Sequence, residues 1–321
     1  MKTIITAFLT LAITSFAFAQ NPDKVLTRVT YNFNHIQDTT QKERPYTETM
    51  LLIVGKNASV YTSYDKISQS LARKKQIEEQ MKNQVGNNSM SINLTGSPGK
   101  ATSSIDYFYF AKENKFFTKE RVFNYYLVEE PTTKINWKIT KDTTSFSGIH
   151  CQKATTYFKG RNWIAWYATE LPFQSGPWKL NGLPGLIIEA YDDTKTVSFQ
   201  FAGMENIVAQ PEQSKNTESI GPKVITSGEI VSVFNTSGVE NANLYLGNEI
   251  KLPTDAIKAN RKELDKLKEA RDKDPQGFMK TQMTGSGGGI ISVVGVSTGK
   301  TLGSTLPKII LNNPIELPEK K

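Results

Sequence analysis

The centre of the chain carries a dense series of short apolar segments, and their spacing limits the fold more than any other feature. These segments are 105–110, 116–123, 125–128, 135–139, 154–158, 163–167, 186–191 and 197–201. Short polar turns such as Lys159-Gly160-Arg161 separate most of them. Such turns suit antiparallel neighbours, whereas parallel neighbours need a long crossover connection. The sequence therefore predicts an antiparallel sheet for the centre of the chain.

The N-terminal part shows further strand patterns. Val29, Tyr31 and Phe33 alternate with polar neighbours, as in a half-buried strand. Residues 49–54 lead through Gly55-Lys56-Asn57 into 58–61, a pattern typical of a β-hairpin. We expect these strands to join the central sheet.

Two charged segments have the spacing of amphipathic helices. The first begins at Ser63 or Asp65 and runs toward Met81, and the second spans 253–272 and is expected to end before Pro275. The residues predicted to face the core are Ile67, Leu71 and Lys74 in the first helix and Ile257, Leu264 and Leu267 in the second.

Glycine-rich insertions near 83–104 and 284–303 interrupt these patterns, and their composition predicts long mobile loops. The expected fold class is α+β and β-rich, with a curved, mainly antiparallel sheet and two amphipathic helices. Residues 20–321 are long enough to bury a sizeable core, and we expect them to form a single domain.

Residues 1–19 have the order of a secretory signal peptide. Lys2 precedes an apolar run, and Ala17-Phe18-Ala19 stands before Gln20. The run is short for a membrane span and charged residues follow it, so cleavage is favoured over anchoring. Cys151 is the only cysteine, which excludes both a lipoprotein cleavage site and an intrachain disulfide. We therefore expect a protein of the periplasm, the outer-membrane surface or the medium that does not span a membrane.

The chain is basic, with a formal net charge of +8. Its lysines and arginines are spread along the sequence, and the clusters at 73–75 and 258–273 fall in the two expected helices. Such clusters usually form solvated helix faces. We do not expect a nucleic-acid partner.

The most specific pattern lies between Cys151 and Asp192. It includes Gly160-Arg161-Asn162-Trp163 and Gly176-Pro177-Trp178, and it closes with the hexapeptide of Gly182, Leu183, Pro184, Gly185, Leu186 and Ile187. Together with the late Asn313-Pro314-Ile315-Glu316, these residues closely resemble the GLPGLI family of exported bacterial proteins. The resemblance covers most of the mature chain. It implies export and supplies no established activity, cofactor or catalytic residue.

The hexapeptide also has a physical interpretation. Proline fixes φ and glycine adopts conformations that a β-carbon forbids, so Gly182-Leu183-Pro184-Gly185 predicts a rigid turn. Leu186-Ile187-Ile188 then enters a strand that is apolar on both faces and is expected to lie centrally in the sheet. The favoured role is structural, and the alternative is a rigid loop that contacts a ligand.

The candidate ligand-binding residues are Trp163, Trp166, Tyr167 and Trp178. Strand alternation places Trp163 and Tyr167 on one face and Trp166 on the other, so at least one aromatic side chain should point away from the core. Aromatic clusters serve ligand and protein contacts, but in a β-rich protein they more often form core. Both roles stay open at this point.

The sequence predicts no catalytic residue, metal site or cofactor. His35 and His150 are too few for a histidine-rich metal site. Cys151 follows His150 directly, and strand neighbours point to opposite faces, so the two make a poor nucleophile and base. A lone strand cysteine is usually a small buried residue.

Three functions remain open. The favoured one is a non-enzymatic envelope protein that binds or carries an apolar small molecule or an outer-membrane partner. An envelope hydrolase would use an unidentified carboxylate pair, for which Glu189, Asp192 and Asp193 are scattered candidates. Two adjacent buried acids with raised pKa would indicate it. A structural or adhesion component would instead present an exposed apolar patch or edge strand and no cavity.

Overall fold

The computed structural model describes residues 22–83, 100–207, 242–285 and 310–319. The predicted signal peptide, 1–19, lies outside the described residues, as do most of the two glycine-rich insertions.

Thirteen strands form one large open sheet. The strands are β1 (Asp23–His35), β2 (Tyr46–Gly55), β3 (Ala58–Ser63), β4 (Ile105–Phe110), β5 (Lys115–Arg121), β6 (Tyr125–Glu130), β7 (Lys138–Phe146), β8 (Ile149–Phe158), β9 (Arg161–Ala168), β10 (Leu186–Asp192), β11 (Val197–Asn206), β12 (Glu249–Ile250) and β13 (Ile257–Ala259). The order across the sheet is β13-β6-β5-β4-β3-β2-β1-β11-β10-β9-β8-β7, with β12 beside β1. Only the short β13 pairs in parallel, with β6, so the prediction of a β-rich, mainly antiparallel fold is confirmed.

Four helices accompany the sheet in the described ranges. They are α1 (Tyr64–Asn83), α2 (Asn243–Leu246), α3 (Arg261–Lys273) and α4 (Pro275–Gly285). No helix in these ranges has the length and apolar character needed to cross a membrane.

The second predicted helix is shorter than 253–272 because a capping box sets its start. The Asn260 side chain accepts a hydrogen bond from the Glu263 backbone N–H, and the Glu263 carboxylate accepts one from the Asn260 backbone N–H. Ile257 therefore lies in β13 and is exposed, whereas Leu264 is buried. Helix α3 ends at Lys273, before Pro275 as predicted, and Pro275 itself begins α4, where proline is favoured.

Helix α1 is present as predicted, but a different face is buried. The Ser63 hydroxyl caps it by accepting from the Lys66 backbone N–H at 2.9 Å. Ile67 and Ile77 are buried, whereas Leu71 is exposed. The predicted core position Lys74 is also exposed. The helix is rotated from the predicted stripe because Lys66 turns toward a carboxylate in the sheet.

Strands β7 and β8 differ most from the prediction. Strand β7 covers only the end of the predicted segment 135–139 and continues to Phe146, while β8 begins before residue 154. A two-residue turn at Ser147 and Gly148, both with positive φ, joins the two strands. As an edge strand, β7 is polar and mostly exposed, so its sequence lacks the alternation that marks a buried strand.

The two faces of the sheet carry separate apolar clusters. On the inner face, defined by Val29, Tyr31 and Phe199, the side chains pack with β8–β10 and with the segment 169–185. On the outer face, Leu51 and Ile53 pack with α1 and α2 through Ile67 and Tyr245. The first three residues of β10, Leu186-Ile187-Ile188, are buried, and the strand lies between β9 and β11, as the sequence predicts.

Candidate functional site

The segment 169–185, which includes the first four residues of the hexapeptide, packs against the inner face of the sheet. Trp178, Leu180 and Leu183 are buried in the same cluster as the strand residues. The Trp178 ring lies 5.5 Å from that of Trp163 and 5.9 Å from that of Phe158, measured between centroids. The chain's own side chains thus fill this part of the inner face.

Close backbone contacts fix the hexapeptide in place. Gly182 has φ of +84°, and a β-carbon on Gly185 would lie 2.1 Å from the carbonyl oxygen of Ala168. The Leu186 N–H donates to the Leu171 oxygen at 2.9 Å, and the Tyr31 hydroxyl donates to the Ile187 oxygen at 2.6 Å. These contacts give the hexapeptide the geometry of a packed turn that continues into a core strand.

The four candidate aromatic residues separate into two groups. Trp163, Tyr167 and Trp178 are 0 %, 1 % and 4 % exposed and belong to the core. Trp166 is half-buried on the outer face and also packs against the same core cluster. Its ring lies 6.2 Å from that of Phe146, and the Lys153 ammonium lies 5.9 Å from its centre. Trp166 is therefore the candidate that a partner can reach.

Other side chains extend this aromatic surface across the outer face of β8–β10. We call Tyr157, Ile164, Trp166 and Tyr191 the outer aromatic patch; Tyr157 is 45 % exposed and the others are half-buried. An open cleft of about 450 Å³ reaches the patch at Tyr157 and Ile164. Where α1 and α2 cover the outer face at β2–β4, by contrast, the side chains of that face are buried.

Arg161, the first residue of β9, lies at the centre of a buried polar site. Its guanidinium donates to an Asp192 carboxylate oxygen at 2.8 Å and to the Asn313 side-chain oxygen at 2.7 Å. It also donates to the backbone oxygens of Pro314 and Ile315. Arg161 and Asp192 side chains are 4 % and 2 % exposed. We call this set of contacts, with residues 313–315, the arginine clasp.

His35 and Glu316 extend the contacts of the late segment. His35 Nε2 lies 2.7 Å from the Asn313 backbone oxygen, and since a carbonyl only accepts, Nε2 carries the proton. Glu316 pairs with Lys179 at 2.5 Å, which ties the late segment to segment 169–185. Residues 313–316 therefore contact both Arg161 and Lys179, which are far from them in sequence.

Burial of His35 predicts a specific pH dependence. Burial lowers the pKa of His35 below its ordinary 6.5, and the nearby Arg161 acts in the same direction, outweighing Asp192 and the Asn313 hydrogen bond. The unfolded chain then binds more protons than the folded one below about pH 6.5, so stability falls as pH falls through that range. We expect the urea concentration at the unfolding midpoint to be lower at pH 5 than at pH 7.5. His35→Gln should make this difference smaller.

The exposed His150 supplies the control for this experiment. His150→Gln should keep the pH dependence of the unmodified protein. An undiminished drop in His35→Gln would contradict the assignment.

Asp192 predicts a separate loss of stability at lower pH. Burial opposes its ionisation, but hydrogen bonds from Thr194, Val197 and Thr196 and the charge of Arg161 outweigh burial and lower the pKa of Asp192 below 3.8.

A second buried polar cluster lies under α1 and α2. Asp106 and Lys119 are direct cross-strand neighbours on β4 and β5 and are both 1 % exposed. Asp106 accepts from Lys66 at 2.7 Å, from Tyr245 at 2.7 Å and from Thr62 at 2.5 Å. Burial opposes ionisation of Asp106, but the positive charges of Lys66 and Lys119 outweigh it and lower the pKa of this carboxyl. The cluster holds two lysines around one carboxylate.

The remaining titratable candidates do not form a two-acid site. Burial raises the pKa of Glu189, whereas that of Asp192 is lowered, and Asp193 accepts from Asn162 in an exposed turn. Cys151 is buried, which raises the pKa of its thiol to about 11, while His150 is exposed. Within the described ranges, no three His, Cys, Asp or Glu side chains gather as a metal site would require.

The buried charges were missed by sequence reasoning. Asp192 was explained as a turn residue, and neither Arg161 nor the Asp106 cluster was identified as a site. A signal exists for Asp106, since in Ile105-Asp106-Tyr107-Phe108 it falls two residues before the buried Phe108 and so points to the same face of the strand. A charged residue in such a position needs a partner.

Comparison with known proteins assigns no family. No family model matches the chain, and no curated protein matches it. Among solved structures, two crystal forms of PNGF-II are similar, each with a TM-score of 0.43, at 11 % and 12 % identity. The match covers 76 % of this chain and 33 % of the PNGF-II chain, so this chain spans about a third of the length of that protein.

Proposed function

We propose that this chain is an exported, non-enzymatic envelope protein of the GLPGLI type that binds a protein partner through the outer aromatic patch. The patch carries the proposal, because it combines Trp166, Tyr157 and Tyr191 with the polar neighbours Lys153 and Thr155 on one sheet face. Trp and Tyr are enriched among the residues that dominate protein interfaces, and polar residues usually surround them.

The filled inner face of the sheet supports a surface contact over an internally carried lipid. Phe199 on β11 and Tyr61 on β3 have ring centroids 6.1 Å apart, although two strands lie between them. Strands are spaced about 4.8 Å apart, so a flat sheet would separate these positions by about 14 Å. The sheet therefore curves toward its inner face, as expected for a carrier, but Trp178, Leu180 and Leu183 occupy that face.

The arginine clasp supports membership of the GLPGLI type as a structural assignment. Arg161, Lys179 and the segment 313–316 come from the separate stretches that carry the resemblance, and they bind one another. Their arrangement explains the shared residues by packing and hydrogen bonding. Helices α1 and α3 correspond to the two amphipathic helices of the expected fold.

The test compares two surface aromatic residues. Mature protein beginning at Gln20 would be purified from an exporting host. One sample would be cross-linked to proteins of an outer-membrane extract. A second sample would be analysed by native mass spectrometry and by organic extraction of bound molecules. We expect one discrete cross-linked product, and Trp166→Ala should lower its yield tenfold or more. Tyr64→Ala, which removes an exposed aromatic side chain from α1, should leave it unchanged.

Each outcome has a distinct meaning. A partner retained by Trp166→Ala, or lost equally in Tyr64→Ala, would contradict a contact at the patch. A near-stoichiometric apolar molecule released by extraction, without a protein partner, would favour the carrier function instead. Retention of the protein in the cytoplasm of the host would contradict export.

A further inference from the structure

A carboxylate lies within the outer aromatic patch. Glu189 of β10 is the direct cross-strand neighbour of Trp166 on β9, and Tyr191 stands two residues further along β10. The three side chains therefore point to the same face of the sheet. Directly opposed residues of an antiparallel pair have β-carbons about 4.5–5.5 Å apart. The Glu189 carboxylate is thus close to the Trp166 ring.

Glu189 is half-buried, yet no donor or basic group in the described ranges bonds to its carboxylate. Burial raises the pKa of Glu189, and the charge of Lys195 offsets only part of this effect. The Lys195 ammonium lies 5.5 Å from the centre of the Tyr191 ring and forms no ion pair with Glu189. The carboxylate is therefore partly removed from water without a bond in exchange, which favours a positively charged group from outside.

The charges beside Glu189 also favour a cation. Glu170, which follows β9, is exposed and likewise forms no ion pair within the described part of the chain. Both acids act on Cys151, since their negative charges add to burial in raising the pKa of its thiol. The nearby Lys153 pairs with Asp142 at 3.2 Å, so its charge is already balanced. This end of the patch therefore keeps negative charge to which a cation of a partner is complementary.

The neighbouring ring indicates which cation fits. Indole is the aromatic ring that binds cations best. The Lys153 ammonium lies 5.9 Å from the centre of the Trp166 ring, at the outer limit of this interaction. An arginine guanidinium is planar, so it can stack on an indole and pair with a carboxylate beside it, whereas a lysine ammonium is a point charge. A tryptophan directly opposite a carboxylate thus suits arginine better than lysine.

We propose that the protein partner presents an arginine side chain to the outer aromatic patch, and that this arginine stacks on Trp166 and pairs with Glu189. The inference rests on the proposed function, because it takes the patch as the partner contact, and it adds the chemistry of the partner. Charge complementarity of this kind fixes the register of two proteins and excludes wrong partners. Glu189 is therefore the residue of the patch that determines specificity.

NMR of the isotope-labelled mature chain tests the contact without the partner, with N-acetyl-arginine amide as the probe. The chain has four tryptophans, and the signal lost in Trp166→Phe identifies the Trp166 indole N–H. We expect the probe to shift this signal saturably. N-acetyl-citrulline amide has nearly the same shape without the charge, and it should bind about fivefold more weakly, the upper range for a partly exposed ion pair.

Two variants assign the effect to one carboxylate. Glu189→Gln should weaken binding of the arginine probe by about fivefold. Glu113→Gln is the matched control, because Glu113 is exposed in the turn between β4 and β5, away from the patch. It should change the affinity less than twofold.

The citrulline comparison uses the unmodified protein, so a misfolded variant does not leave the proposal undecided. A Trp166 signal that does not move, an equal affinity for citrulline, or an unchanged affinity in Glu189→Gln would overturn it. Equal binding of N-acetyl-lysine amide would overturn the assignment to arginine. If Trp166→Ala lowers cross-linking while the arginine probe does not bind, this inference fails and the proposed function stands. Binding of the probe without any cross-linked product would contradict the proposed function alone.

Discussion

Arg161→Lys is expected to lower the free energy of unfolding by about 3 kcal/mol or more, because it leaves several buried acceptors without a donor, each at a cost of about 1–3 kcal/mol. A lysine keeps the charge but has one nitrogen, whereas the guanidinium reaches Asp192, Asn313 and the backbone oxygens of residues 314 and 315. Those acceptors would remain buried without donors. Urea unfolding followed by tryptophan fluorescence measures the loss, because Trp163 and Trp178 lie in the core.

Arg271→Lys provides the matched control for this substitution. Arg271 pairs with its neighbour Asp272 on α3, where both side chains are well exposed. Such surface substitutions usually change stability by less than about 0.5 kcal/mol. If Arg161→Lys costs no more than this control, the arginine clasp does not stabilise the fold. Limited proteolysis should also show faster cleavage within 310–319 in Arg161→Lys.

Gly185→Ala is expected to destabilise the protein by about 3 kcal/mol or more, at the upper end of overpacking effects. The added β-carbon would lie 2.1 Å from the Ala168 carbonyl oxygen. Ala168 cannot move away easily, because it pairs with Leu186 in the ladder between β9 and β10. The substitution therefore forces either the hexapeptide turn or strand β9 to shift.

Gly148→Ala separates this effect from backbone strain. Gly148 has φ of +84° with nothing within 4 Å of an added β-carbon, so its substitution tests strain without a clash. A left-handed conformation costs an ordinary residue about 1–2 kcal/mol. Urea midpoints of the two variants give the comparison. Equal losses would show that close packing at Gly185 is not the reason for the glycine.

Much of the sheet could be predicted because its strands are short, apolar and separated by polar turns. Residues 105–110 were predicted with the observed limits of β4, and the hairpin of β2 and β3 was also correct. Edge strand β7 was mostly missed, since a polar strand lacks a hydrophobic pattern. The start of α3 was misplaced because the capping role of Asn260 was not identified.

The candidate site was less predictable than the fold. Alternation correctly separated Trp166 from Trp163 and Tyr167, because it depends only on neighbouring positions. The arginine clasp joins residues that are about 150 positions apart, and the Asp106 cluster joins the sheet to Lys66 of α1 and Tyr245 of α2. Neither can be inferred from local spacing in one sequence.

The position of β1 has a consequence for how the chain acquires its structure during synthesis. This first strand lies in the interior of the sheet and pairs on one side with β11, while Gln37 beyond its end accepts hydrogen bonds from the backbone of residues 312 and 313. Contacts that span most of the sequence form late and slow the folding of a domain. The edge of β1 that faces β11 must therefore stay unpaired until the chain has been made at least as far as residue 206. During that time this edge is open to pairing with a wrong strand.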